Sequence, residues 1–241
     1  MDHPDKPGDD EQGNTNMFYE PGRTPHNLPY DPFKSCVVPR PIGWISTLSA
    51  DGVPNLAPFS QFQMLTPRPP FVMFGANQTH HPRRKDSVTN AEATGEFVCN
   101  MATYDLREAV NLSSARSEPD TDEFEAAGLT KAPSQLVKPF RVAESKVHIE
   151  CKYHMTVRLP GTPASESMDV VFGQVVGVHI DDSVLTENGR LDVLKLRPLS
   201  RIGYMDYTSI ESIFERLPPG NSDEVRKRLA GSHIKTPKAA E

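Results

Sequence analysis

Two apolar segments separated by a turn constrain this chain more than anything else in it. The first reads Pro39-Arg40-Pro41-Ile42-Gly43-Trp44-Ile45-Ser46-Thr47, the second Asn55-Leu56-Ala57-Pro58-Phe59-Ser60-Gln61-Phe62, with Ala50-Asp51-Gly52 between them. Asp-Gly between β-forming runs signals a hairpin, so two antiparallel strands are predicted over 42–48 and 53–59. Pro54 and Pro58 remove backbone donors, which puts the return strand at a sheet edge or a bulge. The first strand ends in two hydroxyls, Ser46 and Thr47. The second offers Asn55, Ser60 and Gln61 beside Phe59 and Phe62. Rings next to amides and hydroxyls suit a flat heterocycle with a polar edge. The same residues also serve as turn and bulge positions that satisfy local backbone, and Trp44 suits either a pocket wall or a core.

Further strands are predicted at 71–74, 96–101, 146–157 and 170–180, with residues 191–196 leading into a last extended run at 198–204. In the long strand, Val147, Ile149, Cys151, Tyr153 and Met155 fall on one face and His148, Glu150, Lys152 and His154 on the other. Helices are predicted at 86–94, capped by Asp86 and stopped by Gly95, at 103–114, at 122–127 and at 222–230. Strands and helices do not alternate regularly. That pattern disfavours a parallel doubly wound sheet and favours an antiparallel barrel or sandwich with added helices.

Only 37% of the 241 residues are apolar, and the deficit lies at the ends. Residues 1–31 are expected to form a flexible arm, 32–217 the folded domain, and 218–241 a polar tail with a short helix. The net charge of -6 argues against nucleic acid and anionic membrane as partners. No run reaches the roughly 18 apolar residues of a membrane span, and no apolar leader follows the first charges. Cys36, Cys99 and Cys151 have neither metal nor redox spacing, which points to a cytoplasmic chain with inert thiols.

Lys85-Asp86-Ser87 places a cation and a hydroxyl at a helix start, where free N–H groups and the helix dipole attract anions. An ordinary capped helix after a basic turn has the same sequence, and Arg83-Arg84-Lys85 also reads as a solvated loop. His148-x-x-Cys151-x-x-His154 does not make a metal site on a strand, since Cys151 then points away from both histidines. His80-His81 has no third ligand nearby, and His179 reads as a strand-end histidine. No dinucleotide fingerprint, P-loop, nucleophile elbow or zincin motif occurs.

Together, the two opening segments, Lys85-Asp86-Ser87-x-x-Asn90, Ile149-Glu150-Cys151-Lys152 and the run Gly173 to Asp182 resemble the flavin reductase-like family over about residues 32–214. The resemblance implies a mainly β, antiparallel FMN-binding split barrel of Greek-key type with added α-helices, in the longer branch with helical insertions. It implies a homodimer with the flavin between subunits, and NADH or NADPH as electron donor. Electrons would pass from NAD(P)H to flavin or to a downstream acceptor, which includes a flavin-dependent partner enzyme. By the same resemblance Trp44, Ser46, Thr47, Asn55, Ala57, Pro58, Phe59, Ser60 and Phe62 contact the ring and ribityl chain. Lys85, Asp86, Ser87 and Asn90 hold the phosphate end, and Arg201 and Tyr204 lie toward the flavin or the dimer contact. No side chain is assigned a catalytic role and no metal is expected. The Gly-Asp-His of the short two-component reductases is missing, which keeps open a flavoredoxin-like electron carrier without nicotinamide activity of its own.

Overall fold

The computed structural model describes residues 16–78, 84–115, 121–163, 166–216 and 219. The expected tail helix at 222–230 and residues 1–15 of the expected arm lie outside them.

The opening segments form β2 (Gly43–Leu48) and β3 (Pro54–Phe59), after the two-residue strand β1 (Arg40–Pro41). Gly52 at φ 85° closes the turn, its N–H donating to the Ser49 carbonyl at 3.0 Å. β4 (Gln61–Pro67), β5 (Pro70–Asn77), β6 (Glu96–Met101), β9 (Val147–Leu159) and β10 (Met168–Ile180) complete one antiparallel seven-stranded sheet, ordered β3-β2-β6-β9-β10-β5-β4. β3 and β4 stand at opposite ends of that order, yet only Ser60 separates them in sequence. One linking residue cannot span a flat seven-stranded sheet, so the sheet curls until its two edges meet. Hence the prolines of β3 lie on an edge, where their missing N–H groups go unused.

The curled sheet carries a core on each face. Inside it, Ile45, Phe74, Phe97, Cys151 and Val171 are buried together. Outside, Trp44, Leu56, Val110, Phe124, Val142 and Leu199 pack under α2 (Arg107–Leu112), α3 (Glu123–Ala126) and the small pair β7 (Lys131–Ala132) and β8 (Arg141–Val142). A third sheet joins β1 to β11 (Leu199–Gly203) and β12 (Asp206–Ser209), after the single-turn α4 (Val193–Leu196). No helix among the described residues is long and apolar enough to cross a membrane.

Three expectations change. The predicted helix at 103–114 divides into a 3₁₀ turn at Tyr104–Leu106 followed by α2. β4 and β12 are strands that the sequence reading passed over, β4 because its exposed Gln63, Met64 and Leu65 lack a buried alternation. The polar face of β9 is buried at His148 and Glu150, because residues 133–142 lie across it. Glu150 there accepts the N–H groups of Gln135 (2.8 Å) and Leu136 (2.6 Å) and pairs with His179 Nε2 (2.5 Å).

Candidate functional site

The residues expected to bind a ligand start from the register of β2 on β3, which sets Thr47 opposite Asn55 and Ser46 opposite Leu56. Adjacent strand residues point to opposite faces, so the paired hydroxyls separate. Ser46 turns outward, donating to the Phe140 carbonyl at 2.5 Å and accepting from Asn100 Nδ2 at 3.3 Å. Trp44 lies on the same side and donates from Nε1 to Ser113 Oγ at 2.9 Å. Both have no exposed surface. Strand alternation thus places the side chains of Trp44 and Ser46, both expected at the ring or ribityl chain, in the outer core.

Thr47 faces the other way, toward α1 (Asp86–Thr94). Ser87, Val88 and Ala91 bury one face of that helix, and Gly95 at φ 73° ends it by donating to the Ala91 carbonyl. Asn55 Nδ2 donates to Thr47 Oγ1 (3.1 Å) and to Ser87 Oγ (2.9 Å), and Asn90 Nδ2 donates to Thr47 Oγ1 (3.2 Å). Thr47, Asn55, Ser87 and Asn90 thus form one hydrogen-bonded unit from two segments that are far apart in sequence. Thr47, Asn55 and Ser87 are its buried floor; Asn90, Lys85 and Asp86 remain half-exposed around it.

The residue at the helix N-cap is Lys85, not Asp86, which is the first helical residue. The Lys85 side chain makes no capping hydrogen bond, and the Lys85 N–H donates to Gln78 Oε1 at 2.9 Å. The floor's chemistry is that of a donor set. Thr47 Oγ1 already accepts two N–H groups and Ser87 Oγ accepts one, so both hydroxyls have an O–H to give. Donors at a helix N-terminus, beside a lysine, fit a phosphate such as that of FMN. Asp86 in the first turn favours the helix dipole and works against an anion at the same place.

The remaining segment leads around the barrel edge. Ala57 and Phe62 pack on the inner core, with Phe62 directly over Gly43, where an added Cβ would sit 2.5 Å from the ring. Phe59, 8% exposed, belongs to that core, its ring tilted against that of Phe74 at 5.1 Å between centroids. Pro58, Ser60 and Gln61 line the accessible corner. Arg201 bonds Tyr207 Oη at 2.5 Å, and the ring of Tyr204 lies 5.5 Å from that of Tyr30. Arg201 lies on β11 and Tyr204 in the turn to β12, and these contacts are not with the Thr47–Ser87 unit.

The sequence reading missed the charges behind α1. Arg84, read as part of a solvated basic loop, is instead bidentate to Glu92 (2.6 and 2.7 Å) and bonds Asp169 through Nε (2.8 Å). Asp169 has no exposed surface. Its carboxyl is held below the usual range by Arg158, against the opposing effect of burial, with Arg84 adding to the shift. The one sequence signal was an acid at the mouth of an apolar strand. Arg83, His80 and His81 lie outside the described residues. Among the described residues no group of three His, Cys, Asp or Glu side chains is placed to hold a metal ion.

A curled antiparallel sheet with a helix N-terminus beside its edge hairpin defines a split-barrel protein. The flavin reductase like domain family matches residues 35–198, and the chain belongs to that flavin-binding family. An uncharacterized protein of Aquifex aeolicus is 39% identical over 167 residues, covering 69% of this chain and 82% of the relative. Another, from Halalkalibacterium halodurans, is 36% identical over 171 residues, 71% of this chain and 81% of the relative. Among solved structures, nitrilotriacetate monooxygenase component B from Bacillus cereus superposes with a TM-score of 0.77 at 28% identity, covering 84% of this chain and all of that one. A split-barrel domain protein from Shewanella frigidimarina gives 0.67 at 25% identity, with 77% and 89% coverage.

Proposed function

We propose that this protein is an FMN-binding oxidoreductase of the flavin reductase type, drawing electrons from NADH or NADPH. The observation that carries the reading is the Thr47–Asn55–Ser87–Asn90 unit, which joins the edge hairpin to the N-terminal half of α1 beside Lys85. Lys85, Ser87 and Asn90 hold the phosphate. Thr47 and Asn55 meet the ribityl chain. Ala57, Pro58, Ser60, Gln61 and Phe62 border the ring, with Trp44, Ser46 and Phe59 as the scaffold beneath. When bound, the flavin supplies the hydride-accepting ring atom, and the protein orients and shields it. The likeness to a monooxygenase component B supports delivery of electrons to a partner enzyme.

The working unit is a cytoplasmic homodimer. Met155 and Val157 of β9 at one end of the β9–β10 ladder, and Val178 and Ile180 of β10 at the other, are exposed apolar side chains, which supports burial against a second copy. The three free thiols support a reducing compartment.

The test is the visible spectrum of the purified protein, followed by NADH and NADPH oxidation with FMN present. A flavin spectrum with steady NAD(P)H oxidation is expected. A protein that neither binds added FMN nor oxidises either nucleotide overturns the reading. Bound FMN reduced only by a protein donor turns it into the electron-carrier form. Sedimentation of the FMN-loaded protein checks the dimer.

A further inference from the structure

The segment between β5 and α1 is anchored at both ends to one buried carboxylate. Asp169, at the start of β10, pairs in register with Ala76 of β5 and with Arg158 of β9. Its Oδ1 accepts from Arg158 Nε (2.7 Å). Its Oδ2 accepts from Arg158 Nη2 (2.9 Å), Arg84 Nε (2.8 Å) and Gln78 Nε2 (3.2 Å). Two arms run from there to α1. In one, Gln78 Oε1 accepts the backbone N–H of Lys85, the N-cap residue, at 2.9 Å. In the other, Arg84 reaches Glu92, two turns into the helix. Gln78 is itself fixed, with its N–H on the Ser167 carbonyl at 2.9 Å and its Nε2 on the Ala76 carbonyl at 3.1 Å.

This arrangement has two consequences. The Arg84 guanidinium is spent on two carboxylates and folds along α1 toward Glu92, so its charge is not offered at the helix N-terminus. And the seating of that terminus against β2 and β3, on which the Asn55–Ser87 and Asn90–Thr47 bonds depend, is set from Asp169 at the far side of the helix. A small shift in such a seat misplaces every donor at once.

We propose that Asp169 is a positioning residue for the anionic end of the cofactor site, acting through Gln78 on Lys85 and through Arg84 on Glu92. The inference rests on the FMN reading above. It is distinct from a direct phosphate contact, since Asp169 is an anion with no exposed surface.

The experiment compares FMN with riboflavin, which lacks the phosphate, by fluorescence titration of the flavin-free full-length chain, with thermal midpoints alongside. Asp169→Asn keeps the shape and removes the charge that gathers both arms. Its FMN affinity should fall on the order of tenfold, the low end of the loss on removing an outer partner at metal sites, while riboflavin affinity holds. Gln78→Met cuts only the arm to Lys85, leaves the ion pairs in place and carries the same expectation if Asp169→Asn does not fold. A ratio of FMN to riboflavin affinity equal to or above wild type in the folded variants overturns the proposal, as does equal loss of both flavins. Failure of both variants to fold also overturns it, since Asp169 is then structural. A wild-type protein with no preference for FMN sinks the phosphate reading itself, a separate result.

Discussion

The side-chain amide of Asn55, on the edge strand β3, donates to the hydroxyl of Ser87, on the first turn of α1, across 2.9 Å and 32 residues of sequence. Both groups are buried, and the same amide also bonds Thr47. Replacing Asn55 with Ala leaves the two hydroxyls with fewer partners, at a cost of about 1–3 kcal/mol in stability. Because the bonds also orient Ser87, FMN affinity is expected to drop by roughly tenfold, which corresponds to about 1.4 kcal/mol. Chemical denaturation and flavin titration measure the two effects separately.

Lys85 at the helix N-cap brings a full charge to the proposed phosphate. Lys85→Ala should raise the FMN Kd by roughly 10- to 100-fold, the equivalent of a charged hydrogen bond of about 1.5–3 kcal/mol. Riboflavin binding should change little. Equal losses for the two flavins would remove Lys85 from the phosphate end.

Trp44 is the single tryptophan, fully buried with its indole N–H on Ser113. Trp44→Phe removes the indole donor from the Ser113 hydroxyl, which keeps its bond to the Val110 carbonyl at 3.1 Å, and shrinks a packed side chain. A loss of roughly 1–3 kcal/mol is expected, with flavin affinity unchanged in the folded protein. A variant that is stable but binds FMN poorly would return Trp44 to the site.

Gly43 underlies the Phe62 ring so closely that a methyl group there requires the ring to move. Gly43→Ala should destabilise by about 1–3 kcal/mol through overpacking. It should also alter the flavin absorbance envelope, because Phe62 borders the proposed ring site. An unaltered spectrum would place Phe62 outside contact with the ring.

Acid should destabilise the fold in two stages. Burial pushes the His148 imidazole below its usual range against the pull of its bond to the Val142 carbonyl. The unfolded chain therefore takes up that proton first, and stability falls as pH drops below about 6.5. Glu150 is also held low: burial alone would raise it, but the Gln135 N–H, His179 and the Leu136 N–H outweigh that effect. Its contribution is complete above about 4.3 and is lost as pH falls through the folded value. His148→Asn should flatten the upper stage and Glu150→Gln the lower one, as read from thermal midpoints across pH.

The hairpin, helix α1 and the two long strands were legible in the sequence because their signals are local. Asp51-Gly52 sets a turn, Gly95 ends a helix, and alternation over 146–157 and an apolar run over 170–180 mark strands. Strand alternation also carried the separation of Ser46 from Thr47, although motif likeness had grouped them. β4 was illegible because an exposed edge strand has no buried face to show a period. The burial of Glu150 was illegible because the chain that covers it, residues 133–142, comes from outside the strand.

The sequence by itself determined the hairpin, α1 and the long strands, the family, and the chemistry on offer at two places: amides, hydroxyls and rings in one, a lysine at a helix start in the other. The tertiary structure alone decided which of these meet. Curling of the sheet through Ser60 brings β3 beside α1, joins Asn55 to Ser87, turns Trp44 and Ser46 into core, and commits Arg84 to Glu92 and Asp169. The physical reason is range. Backbone periodicity and capping act over a few residues, whereas a hydrogen bond between residues 32 or 85 apart depends on the register and closure of the whole sheet.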